Sequence, residues 1–172
     1  MSYVVQNVPL VAQTRSMACW YASGQMLVQW RRNRCQQTIM GEPEPSEVSW
    51  AGQREAANNG LSLGEMVYYA GLLGMRAIPP MTPTMGAIEG WLRCYGPIWT
   101  AGLKVTAASP GGYGHVVVIV GVTSGQLLIH DPEPVNVGTR AWRPQAWLGT
   151  TLSLATATIP HNFMHYPGLA CA

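Results

Sequence analysis

Apolar residues recur at helical spacing in three stretches of the first hundred positions, and then the spacing changes. Cys19, Ala22, Met26 and Trp30 lie three or four residues apart, which predicts an amphipathic helix from about residue 18 to 32 with Ser16 as its candidate cap. Arg31, Arg32 and Arg34 fall at its C-terminal end, where the helix dipole and solvation account for them better than a phosphate site does. A second helix is predicted over 62–73, after the turn Asn58-Asn59-Gly60, with Leu63, Met66, Val67, Ala70 and Leu73 as its apolar stripe. A third runs from about 84 to 94. Residues 42–46, Glu-Pro-Glu-Pro-Ser, read as a loop, because each proline pushes the residue before it out of helical geometry.

After Gly96-Pro97 the segments 98–105, 115–122, 127–131 and 152–159 read as strands, with Gly, Pro and Ser in the connections. No repeat, low-complexity tract or linker rich in Gly and Ser divides the chain. Helices first and strands second predict a single α+β domain over 1–172, with a helical half, an antiparallel β half and one cleft between them.

Composition narrows the partners. A chain of 172 residues buries a sizeable core without staples. Charged residues make up 10% of it with a net charge of +2, so the concentrated basic face that nucleic acid requires is missing. The 48% hydrophobic content and seven tryptophans argue against disorder, and a weakly charged surface suits a bound partner. The longest apolar run, 116–122, falls far short of the roughly 20 residues of a spanning helix, so no membrane partner is expected. Residues 1–7 lack a basic region followed by an apolar stretch; no secretory signal is read, and export would need a dedicated machine.

The four cysteines form no Cys-x-x-Cys pair. Cys35, Cys94 and Cys171 read as reduced, mostly buried thiols. Cys19 differs because it opens the first predicted helix, where unpaired N–H groups and the dipole favour a thiolate, and Gln13 precedes it by six residues. The Gln13 amide and the Cys19 N–H can together donate to the oxygen that becomes negative when a thiolate attacks a carbonyl. The competing reading of Cys19 is a small apolar residue on a buried helix face.

A base is needed, and four histidines compete. His115 follows a flexible turn at 109–114 and opens the most apolar strand, so it can face a cleft while its strand is held by packing. His161 and His165 lack a compact ligand set and read as surface or turn residues, so no metal is expected. Asp131 is the only aspartate. Its neighbour His130 points to the opposite face of the strand. If the loop before it has three residues, 123–125, with Gly125 in the left-handed position, Val117 opposes Asp131 and His115 becomes its diagonal neighbour; a two-residue loop would separate them. The competing readings are a turn residue for Asp131 and a satisfied strand residue for His115.

Gln13, Cys19-Trp20, the glycine-rich approach to His115 and Asp131 on the next strand together resemble the papain-like cysteine peptidases. Among bacterial branches the chain looks closest to the compact avirulence-type effector proteases. It is also similar to the double-glycine leader peptidases of bacteriocin exporters, where Asp completes the triad. Tyr95-Gly96-Pro97-Ile98-Trp99 resembles those branches too. The resemblance implies a papain-like fold and a Cys19–His115–Asp131 triad with Gln13 as oxyanion donor, needing no metal or organic cofactor. It further implies a toxin moved into a target cell by a specialised system such as type VI secretion, a cytosolic protein substrate cut beside small residues such as glycine, and an immunity or inhibitor protein covering the cleft. Trp50, Trp91, Trp99 and Trp142 are specificity candidates. A cell-wall amidase, a transglutaminase-like acyl transferase and an inactive partner-binding domain remain as alternatives on the same residues.

Overall fold

The computed structural model describes residues 2–34, 42–153 and 162–168. Helix α1, Cys19–Arg34, buries Trp20, Met26, Leu27, Val28 and Trp30, so apolar contact surrounds it on more sides than one stripe would give. It begins at Cys19, and the Ala18 carbonyl accepts from the Tyr21 and Ala22 N–H groups; Ser16 is therefore not the cap, and its hydroxyl accepts from the Asn58 amide instead. Helix α2, Ser49–Ala56, was not legible: Ala51 is its one buried residue, too little for a periodic signal. Within the predicted loop, Pro45–Glu47 winds into a single 3₁₀ turn.

Helix α3, Leu63–Leu72, starts at Ser62, which forms a capping box with Glu65. Its buried side is Met66, Tyr69, Ala70 and the following Leu73, while Leu63 and Val67 are exposed, so the predicted stripe is rotated toward Tyr69. Helix α4, Met85–Tyr95, is capped by Thr84 and stops at Gly96, which has φ 85°. A Cβ at Gly96 would run into the Trp30 ring, so this position needs glycine both for its backbone angle and for space.

Among the described residues the strands form one eight-stranded antiparallel sheet. They are β1 Tyr3–Val4, β2 Arg76–Ala77, β3 Ile98–Thr106, β4 Ser109–Thr123, β5 Gln126–Asp131, β6 Thr139–Pro144, β7 Leu152–Ser153 and β8 Phe163–His165. The main order is β2-β8-β3-β4-β5-β6, with β1 beside β4 and β7 beside β3. A short helix, α5 (Trp147–Thr150), leads into β7. Of the strand predicted over 152–159, the first two residues form β7 and the rest lie outside the described residues. Residues 109–114, expected as a flexible turn, belong to β4.

Alternate residues of β4 enter two cores. Val116, Val118 and Val120 pack with α1 and α3; Val117, Ile119 and Val122 pack with Ile88 and Leu92 of α4. Burial on both faces explains why this strand reads as an unbroken apolar run. Together the helices and the antiparallel sheet make the predicted α+β architecture. Among the described residues no helix is long and apolar enough to cross a membrane.

Candidate active site

Cys19 occupies the first position of α1, and the segment leading to it is braced by elements distant in sequence. The Thr14 hydroxyl donates to Glu55 of α2 at 2.6 Å, and the Met17 N–H donates to the Asn58 side chain at 2.9 Å. The Trp20 indole donates to the Asn59 carbonyl at 3.1 Å. The turn Asn58-Asn59-Gly60, with Asn58 in the left-handed region at φ 54°, thus holds the entry to α1 from the side.

His115 meets Asp131 by a route the sequence did not reveal. The hairpin loop has two residues, Ser124 and Gly125, because Thr123 pairs with Gln126. By that register alone the two side chains would lie on opposite faces. A β-bulge restores them: Ile119 pairs with Ile129 and Gly121 with Leu128, leaving Val120 unopposed on β4. From Val118 opposite His130, the next step places Val117 opposite Asp131, and His115 Nε2 lies 2.7 Å from Asp131 Oδ1. The expected loop is wrong; the expected facing of His115 and Asp131 holds.

The Cys19 thiol and His115 line one cavity. With Nε2 held by Asp131, Nδ1 is the nitrogen left for the thiol. Burial opposes a charge on His115, but the bond to Asp131 and the neighbouring Cys19 outweigh it and push its pKa up to about 9. Burial likewise opposes ionisation of Asp131, yet His115 and Lys104 hold its pKa down at about 2. The pair therefore favours imidazolium beside carboxylate.

Three further groups close around this pair. Lys104 Nζ donates to Asp131 Oδ2 and to Glu133 Oε2, each at 2.7 Å, and lies 3.4 Å from His115 Nε2. The Tyr113 hydroxyl donates to Glu133 Oε2 at 2.9 Å, and its ring meets His115 edge-on. Sequence reasoning missed all three, although β3–β4 pairing sets Gly102 opposite His115 and Lys104 opposite Tyr113, on one face. His115, Asp131 and Glu133 offer atoms within 4.8 Å of one another, as a metal site would, but the Lys104 ammonium already lies between the two carboxylates.

Gln13 is buried. Its Nε2 donates to the Ser16 carbonyl at 3.2 Å, which leaves its second N–H, while its Oε1 has no partner among the described residues. Two cavities adjoin the site. One of about 690 Å³ is lined by Gln13, Ser16, Lys104, Asp131, Glu133 and Trp147. The other, about 200 Å³, is lined by Cys19, His115, Met17, Gly60, Leu61 and Met66.

The remaining candidates go elsewhere. Trp99 is buried in the core, Trp50 packs against Trp20 and Tyr68, Trp91 packs against Phe163, and Trp142 is exposed on β6; none of the four lines either cavity. His130 faces away and contacts the Pro9 carbonyl at 3.2 Å. His165, expected at a surface or turn, is buried in β8 and stacks on Tyr95. Cys94, expected to be buried, is exposed. His161, Cys35 and Cys171 lie outside the described residues.

A family model described as papain-like cysteine protease AvrRpt2 matches residues 2–144. No curated protein sequence matches the chain. The fold is similar to that of a C39-like peptidase from Bacillus anthracis, 13% identical, with a TM-score of 0.57 over 96% of this chain and 97% of that one. The family match runs from β1 through β6 and takes in the start of α1 and the β4–β5 hairpin, so the chain belongs to the papain-like cysteine proteases of the AvrRpt2 family.

Proposed function

We propose that this cysteine protease is an endopeptidase whose nucleophile is Cys19, whose base is His115 oriented by Asp131, and whose oxyanion donors are the Gln13 amide and the Cys19 N–H. The observation that carries this reading is the bond from the His115 imidazole to the Asp131 carboxylate, with Cys19 and His115 lining one cavity, assembled from α1, β4 and β5. His115 takes the Cys19 proton and the thiolate adds to the scissile carbonyl, whose oxygen gathers negative charge against the two N–H donors. Collapse breaks the C–N bond as His115 protonates the leaving amine. Water, deprotonated by His115, then cleaves the thioester, releasing the carboxylic acid and restoring the thiol.

The cavity of about 200 Å³ beside Cys19, with Met17, Leu61 and Met66 in its wall, supports small residues such as glycine on the acyl side of the cut. The family membership supports an effector role: a toxin delivered into a target cell by a specialised secretion system, acting on a cytosolic protein and restrained in sibling cells by an immunity protein seated over the cleft. The test is expression of wild type and Cys19→Ala in a sensitive cell, followed by a search for new protein N-termini. Fragments specific to the wild type, cut beside small residues, are expected. Equal fragment patterns would overturn the protease reading in that cell.

A further inference from the structure

Lys104 is the only lysine in the chain and Asp131 the only aspartate, and the two meet at the base of the site. The Lys104 side chain is 13% exposed, so its ammonium is largely removed from water and needs close partners. It has two, Asp131 and Glu133, and Glu133 is the informative one. While Oε2 of Glu133 holds the ammonium and the Tyr113 hydroxyl, its Oε1 lies 3.8 Å from His115 Nδ1, the nitrogen left for the Cys19 thiol. A carboxylate and a thiolate at such distances compete for the same imidazolium proton.

Resting on the Cys19–His115 reading above, we propose that Lys104 is a positioning residue: by clamping Glu133 beside Asp131, it keeps that second carboxylate from capturing the face of His115 that serves Cys19.

The charges around the imidazole come from every element packed against it: Cys19 of α1, Lys104 of β3, Tyr113 of β4, Asp131 of β5 and Glu133 beyond it. With Lys104 present, its positive charge and that of the imidazolium face the thiolate and two carboxylates. Without it, one imidazolium faces all three anions, and Glu133, released from the clamp, is the anion free to move onto Nδ1. Removing Glu133 together with Lys104 takes away one charge of each sign and restores the balance. A lysine serving structure alone would not be rescued in this way.

The test needs no substrate. Alkylation of Cys19 by iodoacetamide in the full chain is followed across pH by peptide mass spectrometry, which separates Cys19 from the other three cysteines. In the wild type, Cys19 should react at pH 6 at least about tenfold faster than in His115→Ala, with a second inflection where the imidazolium loses its proton. Equal rates would overturn the Cys19–His115 pair itself, whatever Lys104 does. Given the pair, Lys104→Met should slow alkylation at pH 6 by about tenfold and raise the alkaline inflection, and Lys104→Met with Glu133→Gln should recover to within about threefold of wild type. A Lys104→Met profile like that of wild type, or a double variant as slow as the single, would overturn the proposal. Glu133→Gln alone retains Lys104 and should lower the alkaline inflection by about half a unit. If the Lys104 variants fail to fold, an unmoved inflection in Glu133→Gln overturns it.

Discussion

The backbone N–H of Gln13 donates to the carbonyl of Pro132 at 3.0 Å, and the Gln13 carbonyl accepts from the Asn136 N–H at 2.8 Å. The residue proposed to stabilise the oxyanion is thereby tied, main chain to main chain, to the loop that follows Asp131. Substituting its side chain leaves both tethers in place. Gln13→Ala should lower kcat on a cleavable peptide by about 10²–10³-fold. Its melting temperature should stay within a few degrees of wild type, because among the described residues the side chain holds one hydrogen bond, to the Ser16 carbonyl, and its Oε1 has none.

Asp131→Asn keeps the size of the side chain and removes the charge that favours the imidazolium. The apparent pKa of His115 should fall below about 9, and kcat should fall by about 10²–10⁴-fold, as when the carboxylate of a comparable triad is neutralised. The alkaline limb of kcat/KM reads the first effect. A limb that does not move would remove Asp131 from the role of orienting group.

The same ion pair sets how stability depends on pH. Asp131 is held at about 2 against an ordinary 3.8, so it contributes stability present above pH 3.8 and lost as pH falls toward 2, amounting to about 2 kcal/mol. His115 is raised to about 9 from 6.5, so it contributes stability present below pH 6.5 and lost as pH rises through 9. Its share, about 3 kcal/mol, counts the same pair from the other side and adds the influence of Cys19, so the two figures do not sum. Denaturant unfolding should show greatest stability between about pH 4 and 6.5. Cys19→Ala should reduce the loss on the alkaline side and leave the acid side unchanged.

Gly96 ends α4 at a positive φ, with the Trp30 ring occupying the space a side chain would need. Gly96→Ala should destabilise the fold by about 2–4 kcal/mol, from backbone strain and displacement of the ring together. Urea unfolding of the two chains measures it.

The helices beginning at Leu63 and Met85 were legible because Ser62 and Thr84 mark their caps, and the one beginning at Cys19 because its buried residues include Cys19, Ala22, Met26 and Trp30 at helical spacing. Helix α2 and strand β6 were not, since each buries little and is recruited by contacts formed elsewhere, such as that of Glu55 with Thr14. Cys19, His115 and Asp131 stood out through residue type, position at element ends and the scarcity of aspartate. Lys104 and Glu133 did not, because one reads as a strand charge and the other as part of a proline-flanked turn. Only strand pairing places them at the imidazole. The tryptophans misled for the opposite reason: large aromatic residues suggest recognition, but Trp99 serves the core.

Val120 has consequences beyond the sheet in which it lies. Its carbonyl accepts from the Val5 N–H at 2.8 Å, so the unopposed residue is also stitched to the N-terminal strand. Were that one residue to enter the ladder opposite Ile129 while the hairpin tip stayed intact, everything before it would move one step along the partner, turning His115 away from Asp131 with the same amino acids still present. The tip, by contrast, can be lengthened without altering the reading frame of the site. In this protein a length of a single peptide unit decides whether an imidazole and a carboxylate are neighbours or strangers.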